Sequence, residues 1–254
     1  MTLLAALGPF GDAFDFIFHE RQSQAGTVRI GGLGEMWELT WTHLQLSLVA
    51  TIVATVIAMP IGLWLGHIGR YQFLATSTSN IGRAVPALGL IVFFIAFLGV
   101  GFLNVAVALV LLAIPPIITN TYVGMRGVDP DTVDAARGNG LTGAQIVRQV
   151  EIPMALPTIM GGIRISLVSV IATATIAPLA NVDTLGRPII SPNVYGTAGQ
   201  LAACITVAIV TFAADFLFAA LQRAVTPKGL NLQAGFRQRS RLPILSTRRS
   251  MQST

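Results

Sequence analysis

Residues 134–153 read DAARGNGLTGAQIVRQVEIP, from Asp134 to Pro153, the longest polar interruption between long apolar runs in the chain. The stretch has a helix–break–helix grammar. Just upstream, Asp129 stands where it caps a helix whose first residue is Pro130, with Asp131 and Asp134 near that helix's positive N-terminal end. Gly138 and Gly140 break this helix. Thr142-Gly-Ala-Gln145 then has the form of a capping box and starts a second short helix. Pro153 and Pro157 are expected to limit it before the next apolar run begins. The expectation is a folded elbow held at a membrane surface.

The regions on either side of the elbow are those of an integral membrane protein. Of 254 residues, 53% are hydrophobic and only 11% are charged, whereas soluble domains carry about 25% charged residues. Five apolar runs are expected to span the bilayer: about 44–68, 73–98, 102–123, 156–180 and 201–222. Each is long enough for a hydrocarbon core of ~30 Å at ~1.5 Å per residue. The runs are continuous rather than alternating, so a closed β-barrel is excluded. The fold class expected is all-α and polytopic. Pro60, Pro86 and Pro115-Pro116 lie within or beside the spans and read either as ordinary kinks or as the shaping of a pathway. Gly161-Gly162 reads as a close helix contact.

Residues 1–39 stand apart as an N-terminal segment. Leu3 to Phe18 is apolar but interrupted by Asp12 and Asp15, and no basic stretch precedes it. That argues against a signal peptide and for a helix lying in the membrane interface. Residues 20–38 read as a Gly-rich connector. The spans and elbow make one domain, 40–230, and 231–254 is a basic tail expected to be disordered and drawn to anionic lipid. Charge sets the orientation. With the C-terminus inside, Arg70, Arg126, Arg137, Arg148 and seven cations of the last 32 positions are cytoplasmic, and only Arg21, Arg29 and Arg187 are outside. This places the elbow in the cytoplasm and the N-terminus outside. The net charge of +5 is explained this way and implies no nucleic acid.

The elbow resembles the signature of bacterial ABC importer permeases: Glu-Ala-Ala, three residues, Gly, nine residues, then Ile-x-Leu-Pro. Asp134, Ala135, Ala136, Gly140, Val150, Ile152 and Pro153 keep its spacing, with Asp for Glu, Val for Ile and Ile for Leu. HLQLSLVA at 43–50, MPIGLWLG at 59–66, ALPTIMGGIRIS at 155–166 and TPKGL at 226–230 resemble permeases of osmoprotectant importers, which take up glycine betaine, carnitine, choline or proline-type solutes. One departure is the stretch 180–186, ANVDTLG, where those permeases often carry a Gly-rich turn. The resemblance implies a MetI-like permease in a bacterial inner membrane. It further implies docking of the elbow on an ATP-binding subunit, a second permease chain as homodimer or related heterodimer, and an extracytoplasmic solute-binding protein. An amphipathic loop that only ties two spans together is the plainer reading of the elbow. Other readings of the chain are a permease for amino acids or methionine, an ion-coupled secondary carrier and a structural subunit.

No enzymatic constellation is present. There is no Gly-x-x-x-x-Gly-Lys-Ser/Thr phosphate loop, so this chain is not expected to bind ATP; by the resemblance, hydrolysis is expected in a separate subunit, and no cofactor is expected. His19, His43 and His67 are isolated at span edges and read as interfacial residues rather than metal ligands. Cys204 is the one cysteine. No aromatic cluster suggests a cage for a quaternary ammonium, so solute recognition is expected mostly in the binding protein. Arg83, Arg164 and Asp215 fall inside spans, in one layer about 10–15 Å from the cytoplasmic ends. Asp215 is expected to pair with Arg164 or Arg83 and to lock helices rather than bind solute. The alternative has both arginines snorkelling to the headgroups.

Overall fold

The computed structural model describes residues 8–26, 28–69, 73 and 85–226. Chain order is α1 (Pro9–Phe18), a two-stranded hairpin of β1 (Glu20–Gln22) and β2 (Arg29–Gly31), then α2 (Gly32–Ile68), α3 (Ala87–Leu98) and α4 (Phe102–Arg126). The elbow holds α5 (Pro130–Gly138) and α6 (Gly143–Ile146). A π turn over Val147–Glu151 leads into α7 (Ile152–Thr173), a 3₁₀ stretch Ala174–Ala180, α8 (Gly186–Ile190) and α9 (Pro192–Val225). Four helical stretches are long and apolar enough to cross a membrane: Gly32–Ile68, Phe102–Arg126, Gly143–Ala180 and Pro192–Val225. α3 is the described end of the second expected span, and residues 74–84 of that span, Arg83 among them, lie outside the described residues. The architecture is the all-α, polytopic fold expected, with four long helices and a shorter apolar one.

The central seam joins α2 to α4. Leu46, Ala50, Ala54, Ala58, Gly62 and Gly66 recur every fourth residue along α2, and all are buried. Positions four apart lie on one helix face, so the stripe is nearly flat and α4 approaches closely. A Cβ on Gly62 would lie 2.6 Å from Thr121 Cβ, and one on Gly66 would lie 2.5 Å from Met125 Cβ. α4 is held in turn by α7. A Cβ on Gly162 would lie 2.5 Å from Asn120 Cβ, and buried Ser166 donates to the Ala113 carbonyl at 2.8 Å. Gly161, the other half of the expected close contact, instead faces open space.

Three expectations are corrected. His43 is not interfacial: it is fully buried, and its Nε2 lies 2.9 Å from the Ile171 carbonyl, tying α2 to the far end of α7. Residues 20–38 are not a bare connector, for they hold the hairpin and the first turns of a 37-residue α2. At ~1.5 Å per residue that helix is about 55 Å long and outruns the hydrocarbon core. The second elbow helix does not end at Pro153 or Pro157. Pro153 falls in the first turn of α7, where a missing N–H costs little, and the π turn carries the chain across the junction by an Ile152 N–H to Val147 carbonyl bond.

At the end of the bundle opposite the elbow, α1 and the hairpin pack on the start of α9. Ala13 and Phe16 of α1 are fully buried, and the Phe16 ring meets the Tyr195 ring edge-on at 6.3 Å. The Tyr195 hydroxyl donates to Glu35 at 2.7 Å, and the other Glu35 oxygen accepts the Gly31 N–H at 2.6 Å. Phe10, Phe14 and Phe18 lie four apart on α1 and stay exposed. The atypical stretch 180–186 closes well without a Gly-rich turn. Asn181 takes the left-handed conformation at φ 60°, which Asn tolerates better than most residues. Thr184 donates to the Ala174 carbonyl at 2.9 Å, and Gly186 sits where a Cβ would strike the Thr175 carbonyl.

Candidate functional site

Two sites emerge, one at the start of α7 and one midway along it. The first is the elbow. The Asp129 side chain accepts the Asp131 N–H at 3.0 Å and Pro130 opens α5, so the helix starts as its sequence dictates. Gly140 has φ +82°, and the Leu141 N–H returns to the Ala136 carbonyl at 3.2 Å, which turns the chain sharply after α5. Thr142 and Gln145 then bond reciprocally: the Thr142 N–H reaches Gln145 Oε1 at 2.8 Å, and Thr142 Oγ1 accepts the Gln145 N–H at 3.4 Å. Both short helices thus start from caps of their own; α5 buries no residue, whereas α6 buries Ile146.

The elbow's burial is one-sided. No residue of α5 is buried. Asp134, Ala135 and Gly140 are exposed and Ala136 is half-buried, whereas Val150, Ile152 and Pro153 are half-buried where the chain rejoins the bundle. Two attachments hold it there. Ile146 is fully buried, and buried Glu151 meets His67 Nδ1 at 2.8 Å. His67 stands near the C-terminus of α2, so the elbow is pinned to the end of the central seam. Asp134 and Arg137 form a pair at 2.9 Å, but both are exposed and the pair adds little stability. Left uncovered is a polar, capped shelf with small residues on its face. The signal for the Glu151–His67 link was an acid next to the apolar end of the signature and a lone histidine ending a span, which local pattern does not connect.

The second site lies within the spans. Arg164 on α7 grips Asp215 on α9 through Nε to Oδ1 and Nη2 to Oδ2, both at 2.5 Å, a two-pronged fork. Lower on the same two helices Gln222 donates to the Pro157 carbonyl at 3.0 Å. Arg164 is twelve residues beyond the start of α7 and Asp215 ten before the end of α9. The pair therefore lies about 15–18 Å along the helices from the elbow side. Its side chains are 37% and 33% exposed, so it is not sealed in the bundle. It borders a groove of about 550 Å³ lined by Gly161, Arg164, Ile165, Ser169, Asp215 and Gln222, among others. The structure brings Arg164 and Asp215 together; Arg83 lies outside the described residues. Among the described residues no group of three or more His, Cys, Asp or Glu side chains is placed to hold a metal ion.

Comparison with known proteins gives one consistent set of relatives. The family described as "binding-protein-dependent transport system inner membrane component" matches residues 58–228. The glycine betaine/carnitine/choline transport system permease protein OpuCB of Bacillus subtilis is 36% identical over 198 residues, covering 78% of this chain and 91% of the relative. The carnitine transport permease protein OpuCB of Listeria monocytogenes is 37% identical over 192 residues, covering 75% and 88%. Among solved structures, the inward-facing MetNI methionine ABC transporter superposes with a TM-score of 0.69 at 23% identity, over 77% of this chain and 98% of that one. At that identity the likeness speaks for the fold alone.

Proposed function

This chain belongs to the family of binding-protein-dependent transport inner-membrane components, and from that premise we propose that it moves osmoprotectants such as glycine betaine, carnitine or choline across the membrane. It is the permease subunit of an ABC importer, a multi-pass membrane protein. The observation that carries the solute class is the likeness to osmoprotectant permeases along most of the chain, at 36–37% identity to two of them.

In this reading the exposed shelf of α5 and α6 docks on a separate ATP-binding subunit. Asp134, Ala135, Ala136 and Gly140 form the docking face, and Val150, Ile152 and Pro153 carry its motion into α7. What supports the role is the shelf's build: locally capped, left exposed by the described residues, and continuous with a spanning helix through the π turn. Movement of the shelf thereby becomes movement of α7, and a two-state ATPase biases the permease between two states. A second permease chain completes the path, and a binding protein outside delivers solute. The elbow and C-terminus face the cytoplasm and the N-terminus the outside, as the positive charge dictates.

The test is reconstitution of the permease with its ATP-binding and solute-binding subunits in proteoliposomes. ATP-dependent uptake of betaine, carnitine, choline or proline is expected, and uptake of methionine is not. Uptake of methionine alone would overturn the solute class. Full transport with Gly140→Asp would overturn the docking role, and labelling of Gly143→Cys from outside intact cells would overturn the orientation.

A further inference from the structure

The Arg164–Asp215 pair has an oddity for a helix lock: it is open on one side. Charged groups at membrane depth are costly and face protein or water rather than lipid. Here about a third of each side chain remains uncovered by the described residues, at a depth where lipid would otherwise lie. The uncovered face is largely apolar, with Ile165 and Val168 beside the pair, but it carries a polar group above and below. Ser169 is exposed one turn beyond Arg164 on α7, and Gln222 borders the groove two turns beyond Asp215 on α9. The other flank of α9 differs in kind, with Phe212, Phe216 and Leu217 exposed, as suits lipid or an apolar partner. The groove thus sets a charge pair, an amide and a hydroxyl beside the apolar side chains of Ile165 and Val168, a mixture suited to a charged solute that also carries methyl groups.

We propose that this groove is a solute site on the transport path, at which a zwitterion carrying a quaternary ammonium and a carboxylate lies antiparallel to the Arg164–Asp215 pair. The inference rests on the solute class proposed above and adds where the permease itself touches solute. Arg164 spends Nε and Nη2 on Asp215, and among the described residues nothing accepts from Nη1. A carboxylate placed at Nη1 gains a charge-assisted hydrogen bond. The solute's ammonium then falls on the Asp215 side, completing a square of alternating charges. A single cation gains from Asp215 but is opposed by Arg164, so the neutral pair favours a zwitterion over a lone ion. Because the pair already satisfies itself, the added contact is modest, which allows release to the far side. The volume of about 550 Å³ is of the size that holds small molecules. Gly161 matters for access, since a Cβ there would meet nothing within 4 Å.

The test uses the complete complex in proteoliposomes, with glycine betaine and choline as probes and uptake normalised to assembled complex by size-exclusion chromatography. Cys204→Ser removes the native thiol and Gly161→Cys places one on the groove. A membrane-impermeant charged thiol reagent, supplied on both faces, is expected to modify Gly161→Cys, and saturating betaine to slow the modification. No modification at all, or an unaltered rate with transported betaine present, would overturn the site. In the neutral double variant Arg164→Gln/Asp215→Asn, the ratio of betaine to choline uptake is expected to fall about tenfold, the worth of one charge-assisted contact. An unchanged ratio with both solutes slowed equally would assign the pair to helix packing and overturn the proposal. If that double variant does not assemble, the swap Arg164→Asp/Asp215→Arg decides the same question. It keeps a pair with its dipole reversed, and is expected to retain the preference for betaine, since the zwitterion can turn round. Loss of that preference in an assembled swap would count against the site. Should the unmodified complex transport neither probe, the solute class falls, while modification of Gly161→Cys without any solute still decides whether the groove is wet.

Discussion

The seam between α2 and α4 and the seam between α7 and α9 are built in opposite ways. The first is a stripe of alanines and glycines, buried along its whole length, with backbones close enough that a single added methyl collides. The second is held by one ion pair and one amide-to-carbonyl bond, and it leaves a groove beside them. Packing of small residues is short-ranged, so it admits one geometry and loses contacts steeply when helices separate. A charge pair beside a groove is directional but exchangeable, because water or another charge takes the place of either partner. The contrast marks the α2–α4 seam as tightly packed and the α7–α9 junction as the looser one. The elbow is pinned to the tight seam through His67 and Glu151 yet continues directly into α7, so it bridges the two.

The largest effect should come from overfilling the tight seam. In Gly66→Leu the new side chain meets Met125 and the Tyr122 carbonyl, and α2 is forced off α4. Overpacking of this kind costs about 1–3 kcal/mol and more where backbone is the neighbour. A thermal melt in detergent should show loss of the folded protein, and an unchanged midpoint would break the picture of a tight seam. Next comes Asp215→Asn, which leaves the Arg164 charge without its partner. Uptake should fall on the order of tenfold while the complex still assembles, because α7 and α9 keep the Gln222 contact. Normal uptake in that variant would end any role for the pair, in locking or in transport.

Smaller effects sharpen the comparison at its edges. Ser166→Ala removes a buried hydrogen bond from α7 to α4 and should lower stability by about 1 kcal/mol, as read by the same melt. Thr142→Ala removes the cap of α6 and should cost about 1 kcal/mol locally. Faster hydrogen exchange at residues 143–146, with the spans unaffected, is the expected signature. Gln222→Ala should be the mildest, at roughly 0.5–1 kcal/mol for a half-buried neutral hydrogen bond. A larger loss there would mean that the second seam is tighter than its groove implies.

Legibility in the sequence followed the range of the interaction. The caps at Asp129 and Thr142 bridge two or three residues, and the elbow could be read from them directly. The stripe from Leu46 to Gly66 has a four-residue period and is equally local, but Pro60 inside it gives the same stretch the look of a kink. Pro153 misled because a proline is a stop signal in a straight α-helix, and nothing local announces the π turn that absorbs it. His43 differs for another reason: it stands at the edge of the apolar run, but α2 begins at Gly32 and carries His43 well inside the bundle.

What the sequence determined by itself is therefore the membrane class, the long helices, the capped elbow and the presence of charges that need partners. Those follow from composition and from periods of two to four residues, which any chain of this sequence carries before it folds. Only the tertiary structure decided which charges meet and what they face. Arg164 and Asp215 are 51 residues apart, and His43 and Ile171 are 128 apart. Whether such groups touch depends on how each helix is rotated about its axis and how the small-residue seams set the spacing between helices. A rotation of one residue, about 100°, would carry Asp215 away from Arg164 without altering a single local signal.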